Sequence, residues 1–177
     1  MEKRRIFWSI LSIVVVAMLS FGLSSCNKDD DGDGEGGGAN DSRIVGTWHF
    51  VSKESWEYTK GVLVDHRKEN ATSTRIYEVV NGKETGKYRD SCYGIELVEY
   101  TFGVDGSFYA INDDADEESG TYIASNGNLK LTVGNFSGVF KYSYSGDQLI
   151  ITMEESNGKE LEYRSINYLD KGPYSNK

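Results

Sequence analysis

The side chains able to do chemistry in this 177-residue chain are few in kind and, for one kind, very abundant. There are two His, two Cys and 28 Asp or Glu. Two imidazoles and two thiols leave too few ligands for the usual zinc sets. No Gly-x-Ser-x-Gly elbow occurs, so a serine hydrolase of that design is excluded. The imidazole bases available are His49 and His66, the latter inside the charged cluster Val64-Asp65-His66-Arg67, which reads as a solvated loop. Carboxylate pairs suited to glycoside hydrolysis carry no signal here, because acids this numerous place some pair at that spacing by chance. The run Asn112 to Glu118 could hold a hard cation such as Ca²⁺. Mutual repulsion on an exposed loop explains it equally well. Gly32-x-Gly34-x-x-Gly37 fits a dinucleotide fingerprint by letter, yet no strand precedes it and no helix follows. Asp29-x-Asp31-x-Asp33-Gly34 begins like a Ca²⁺ loop, but Asn40 stands where a bidentate Glu is needed. These residues point away from catalysis and away from a cofactor or resident metal. The net charge of −9 also argues against a nucleic-acid partner, which needs surplus Lys and Arg on one face.

The elements that must position these groups come in three stretches. Residues 1–25 start with Lys3, Arg4 and Arg5, and an apolar run follows from Ile6 to Leu23. A basic segment followed by an apolar one is a secretory signal. The alternative is an uncleaved membrane anchor, for which 18 residues barely reach across about 30 Å of hydrocarbon. Residues 26–41 hold Cys26 and then NKDDDGDGEGGGAND, with six acids, five Gly and no large apolar side chain. Such a stretch cannot bury enough surface to fold and reads as a flexible tether.

Residues 42–177 form the folded domain. Apolar side chains there alternate with polar ones and turn residues recur, so the class is all-β. From Gly46 the even positions read Gly46, Trp48, Phe50, Ser52, Glu54, Trp56, Tyr58, a mostly aromatic face expected to point inward along one long strand. A helix over Ser52 to Thr59 is the competing reading. Further strands are Thr74–Val80 and Glu84–Asp90 around Asn81-Gly82, the strongest short hairpin signal. Ile95–Phe102, Ser107–Asn112, Gly120–Ala124, Leu129–Val133, Val139–Tyr144, Gln148–Met153 and Lys159–Tyr168 follow, each bounded by Gly, Asn or Asp. Short sequential connections imply a single antiparallel up-and-down meander of about 8–10 strands, and closing it into a barrel removes its edges. The sequence does not assign the stretch between Thr59 and Ile95 strand by strand.

Two resemblances add to this. Leu23-Ser24-Ser25-Cys26 followed by acids resembles a bacterial lipobox. It implies cleavage before Cys26 and acylation of that residue with chains such as palmitate, which hold a protein in the outer membrane of a Gram-negative cell. Cleavage leaves 27 acids and 16 bases, a net −11, so the lipid and not a basic patch must be the membrane partner. The acids directly after Cys26 resemble a surface-export signal, which implies display on the cell exterior, with a periplasm-facing spacer as the alternative. Cys92 is then left without an intrachain partner, as a buried apolar filler, an intermolecular linker or a merely tolerated residue. Ile44-Val45-Gly46-Thr47-Trp48 resembles the Gly-x-Trp opening of lipocalins, and Tyr100 to Phe108 resembles the aromatic–turn–aromatic hairpin of bacterial lipocalin-like lipoproteins. The resemblance runs from Ile44 to about Arg164. It implies that Gly46 and Trp48 close one end of the barrel, and that the lumen binds a small hydrophobic or amphipathic molecule without catalysis. Candidate lumen residues are Phe50, Ser52, Glu54, Trp56, Tyr58, Tyr122 and Tyr142. Glu54 facing an apolar lumen is costly, so it marks either a strand bulge that turns it outward or a ligand contact. The alternative function is a packed structural or adhesion module whose outer surface and rim loops contact glycans or proteins.

Overall fold

The computed structural model describes residues 40–94, 98–112 and 115–173. The signal segment, Cys26 and the tether through residue 39 lie outside the described residues, as do 95–97, 113–114 and 174–177. Among the described residues there are eleven strands and no helix: β1 (Gly46–Thr59), β2 (Val62–Asn70), β3 (Thr74–Val80), β4 (Lys83–Ser91), β5 (Val98–Phe102), β6 (Ser107–Asn112), β7 (Glu117–Ser125), β8 (Asn128–Val133), β9 (Phe136–Ser145), β10 (Gln148–Ser156) and β11 (Leu161–Lys171). All pairings are antiparallel, and β11 closes on β1. Eight strands, β1 and β5 to β11, make a closed barrel of lipocalin-like form. Closure pairs both edges of every barrel strand, which removes the exposed templates for misassociation.

The remaining strands depend on the length of β1. One edge of β1 pairs with β11 from Trp48 to Glu57. Its other edge pairs with β5 from Gly46 to His49, and then with β2 from Ser52 to Thr59. From Ser52 onward β1 therefore belongs to the barrel and to a four-stranded wing, β1–β2–β3–β4. The stretch that sequence left unassigned is this wing. β2 carries His66, so the solvated-loop reading of that cluster is corrected: His66 is in a strand and 4% exposed. The strand won because His66 lies opposite Trp56 and is covered by rings on both sides. β4 is the free edge, and its Lys83, Lys87, Arg89 and Asp90 keep that edge charged.

The core fills the lower barrel. Trp48, Phe102, Leu129, Leu149 and Leu169 are almost fully buried there, with Ile44 beside them. The chain before β1 crosses this end. Asn40 and Asp41 exchange hydrogen bonds with the backbone of Ala124, and the Tyr142 hydroxyl donates to Asp41. Asn40 and Asp41 are thus tied to the barrel. Trp48 Nε1 donates to the Ile44 carbonyl at 2.7 Å, fixing the ring under that crossing segment. Gly46 sits at φ +123°, a conformation open to Gly and costly to other residues. Cys92 is exposed at the end of β4, not a buried filler. The chain there leaves the wing for the surface, where nothing covers it.

Candidate functional site

A bulge in β1 decides which side chains face the lumen. Phe50 pairs with Leu169, but Ser52 pairs with Tyr168, so Val51 is the extra residue. Side chains alternate across a strand, and one inserted residue reverses the faces beyond it. Past the bulge Lys53 and Ser55 pair with Asn167 and Ser165, on the inner wall. Ser52, Glu54, Trp56 and Tyr58 fall on the opposite face. The bulge reading of Glu54 is the one the register shows, and these four residues are corrected from inward to outward. Phe50 and Tyr122 are buried; the Tyr122 hydroxyl donates to the Gly103 carbonyl. Tyr142 is buried and borders an open groove at the Asp41 end of the barrel.

The interior retains a cavity of about 50 Å³. Its apolar wall is Tyr100, Phe102, Phe108, Leu131, Phe140 and Met153. Its polar side is Lys53, Ser165 and Asn167. Ser165 is fully buried and its hydroxyl has no hydrogen-bond partner, an arrangement that costs about 1–3 kcal/mol when left unfilled. Asn167 Nδ2 donates only weakly, at 3.4 Å, to the Ile151 carbonyl. Lys53 extends its ammonium to 5.8 Å from the Tyr163 ring centre.

The rows of β1, β11 and β10 grade from apolar to polar. Leu149 and Leu169 form one row, Ile151, Asn167 and Lys53 the next, Met153, Ser165 and Ser55 the third. Glu155, Tyr163 and Glu57 form the last. Burial, with help from Glu162, pushes the Glu155 carboxyl up to about 7. Burial also raises Glu118 on β7 and, with the charge of Glu118, the Tyr100 hydroxyl. Burial in the upper lumen therefore favours the neutral form of Glu155 and Glu118.

The outward face carries a different construction. Trp56 and His66 stack at 4.9 Å, and His66 and Tyr77 at 4.2 Å. Tyr88 meets Tyr77 edge-on at 6.1 Å, and Arg164 lies 5.6 Å from the Trp56 ring centre. Directly opposite residues on neighbouring strands bring side chains into contact, which turns one register row into a ladder. His66 Nε2 donates to Glu54 at 3.0 Å, and Nδ1 lies 2.9 Å from a Glu84 oxygen. The ladder buries ring faces against one another, so it stiffens the wing more than it offers open platforms.

Sequence reasoning missed Lys53, Ser165 and Asn167, and it placed His66 in a loop. The signal for the first three was Glu54 itself, whose polarity within an aromatic row required a face change. Among the described residues no group of three or more His, Cys, Asp or Glu is placed to hold a metal ion. No described helix is long and apolar enough to cross a membrane, which says nothing of residues 1–39. No protein-family model matches the chain, and no curated protein matches it in sequence.

Proposed function

We propose that this chain is a non-catalytic binding protein, lipid-anchored through Cys26 to the outer membrane and facing the cell exterior, whose barrel interior takes a small amphipathic ligand. The observation that carries the reading is the apolar cavity bounded on one side by Lys53, Asn167 and Ser165. At about 50 Å³ it is far smaller than the roughly 300–1,000 Å³ of drug-sized ligand sites. The lower lumen is filled by the protein's own aromatics, so a long hydrophobic ligand does not fit this form of the interior. Native mass spectrometry of the full mature chain, offered a pool of small organic acids, alcohols and amides, tests the reading. A discrete small adduct that disappears in Met153→Trp supports it. An adduct indifferent to Met153→Trp places the site elsewhere and contradicts it.

A second reading, a packed module meeting glycans or proteins through its outer surface, is favoured by the exposure of Tyr88 and Tyr93 at 52% and 79%. Loss of binding to such a partner on Tyr88→Ala, with the interior variants silent, would select it.

A further inference from the structure

The chemistry of the cavity lining narrows the ligand class. Lys53 has three donors and no acceptor. Among the described residues no carboxylate lies within ion-pair distance of it, although Glu69 is its register partner on β2. Ser165 has an unpartnered hydroxyl in a fully buried side chain, and Asn167 has an amide N–H to spare. All three line one side of the cavity, and the other walls are apolar. A bound group with several acceptor lone pairs and a negative charge would answer all three donors at once and neutralise the ammonium.

Size limits the rest of the molecule. At about 10–15 Å³ per water the cavity takes on the order of four waters, whose combined share of liquid volume, about 120 Å³, is roughly that of five or six bonded heavy atoms. Two of those are carboxylate oxygens. The remainder is a short aliphatic stem lying against Leu131, Phe140 and Met153. The nearest inward carboxyl along β10 is Glu155, one row toward the mouth from Met153. It repels an anion less than an ordinary carboxylate, since burial holds much of it protonated near neutral pH.

We infer that the interior site binds a short aliphatic carboxylate of three or four carbons, its oxygens on Lys53 and Ser165 with Asn167 beside them, and its chain in the apolar cavity. The inference rests on the proposed reading of the interior as the binding site, and names the ligand class and the residues that select it.

The test is an NMR titration of the full mature chain, ¹⁵N-labelled, with sodium butyrate, and in parallel with 1-butanol and with decanoate. Butyrate should bind saturably and shift the amides around Lys53, Leu131, Ser165 and Asn167. Lys53→Met should weaken butyrate about tenfold, the loss of one charge-assisted contact. Ser165→Ala should weaken it severalfold, and both variants should keep the parent's dispersed spectrum. 1-Butanol, equal in chain length and uncharged, should bind at least about tenfold more weakly than butyrate. Equal binding of 1-butanol at the same amides overturns the anionic class while leaving the interior reading standing. Binding of decanoate and not butyrate overturns the size limit in the same way. Shifts confined to the outer face, or none with any of the three probes, overturn both the inference and the interior reading.

Discussion

Trp48 shows how much one side chain settles at the residue scale. It is 2% exposed, it hydrogen-bonds the crossing segment through Ile44, and Lys171 lies 5.5 Å from its ring centre. Truncation to Ala removes that contact and opens a large void in the lower core. Trp48→Ala should cost about 3–5 kcal/mol, read as a lowered urea midpoint with an unchanged slope. Glu155 makes a second residue-scale prediction. Its carboxyl is raised from 4.5 to about 7, so the folded protein keeps this proton where the unfolded chain has released it. The stabilisation from that proton is complete below about 4.5 and is lost as pH rises through 7. Glu155→Gln should therefore gain on the parent as pH rises from about 4.5 to 7 and keep that gain above it, by about 1 kcal/mol after allowance for solvent at this half-open position. Thermal melts of the two proteins across that range would show it, and parallel curves would contradict it.

At the scale of elements, the bulge in β1 and the turn between β3 and β4 carry the argument. Val51 is the inserted residue. Deleting it would let Ser52 follow Phe50 directly in strict alternation, so Lys53 and Ser55 would stay on the lumen side and Glu54 and Trp56 outside, while the local bend of the strand is lost. The deletion variant should therefore keep cooperative unfolding in circular dichroism melts, and its loss would show that the barrel needs the bend the bulge gives β1. Asn81 and Gly82 both have positive φ, +52° and +77°, as the tightest hairpins require. A Cβ at Gly82 would also meet Val62 Cγ1 at 2.8 Å. Gly82→Ala should therefore loosen the wing by about 1 kcal/mol, with amide exchange quickening in β3 and β4 and not in the barrel. Asn81-Gly82 made that hairpin legible from the sequence alone. So did the ordered hairpins from β5 to β11, whose alternation is regular and whose turns are rich in Gly, Asn and Asp. β2 was not legible: Val62 to Asn70 is charged on both faces, and its burial comes from rings on neighbouring strands that no local pattern reveals. The inner wall was legible only as a conflict. Glu54 broke the aromatic row, but one chain could not show whether the strand or the ligand resolved it. Lys53 became visible as an inward residue only once the register was known.

For the whole molecule, the interior grades from a sealed aromatic end near Ile44 to a polar mouth below the wing. The chain enters the barrel at the sealed end, through Asn40 and Asp41. Cys26→Ser should abolish acylation, moving the protein from the membrane fraction to the soluble one and removing the added acyl mass, while the barrel melts as before. The central claim is that the interior, and not the outer ladder, holds the ligand. The most direct measurement is the set of nuclear Overhauser contacts between the methylene protons of bound butyrate and the side chains of the full mature chain. Contacts are expected to the methyls of Leu131 and Met153 and to the ring of Phe140. Contacts to Tyr88 or Tyr93 in their place would contradict it.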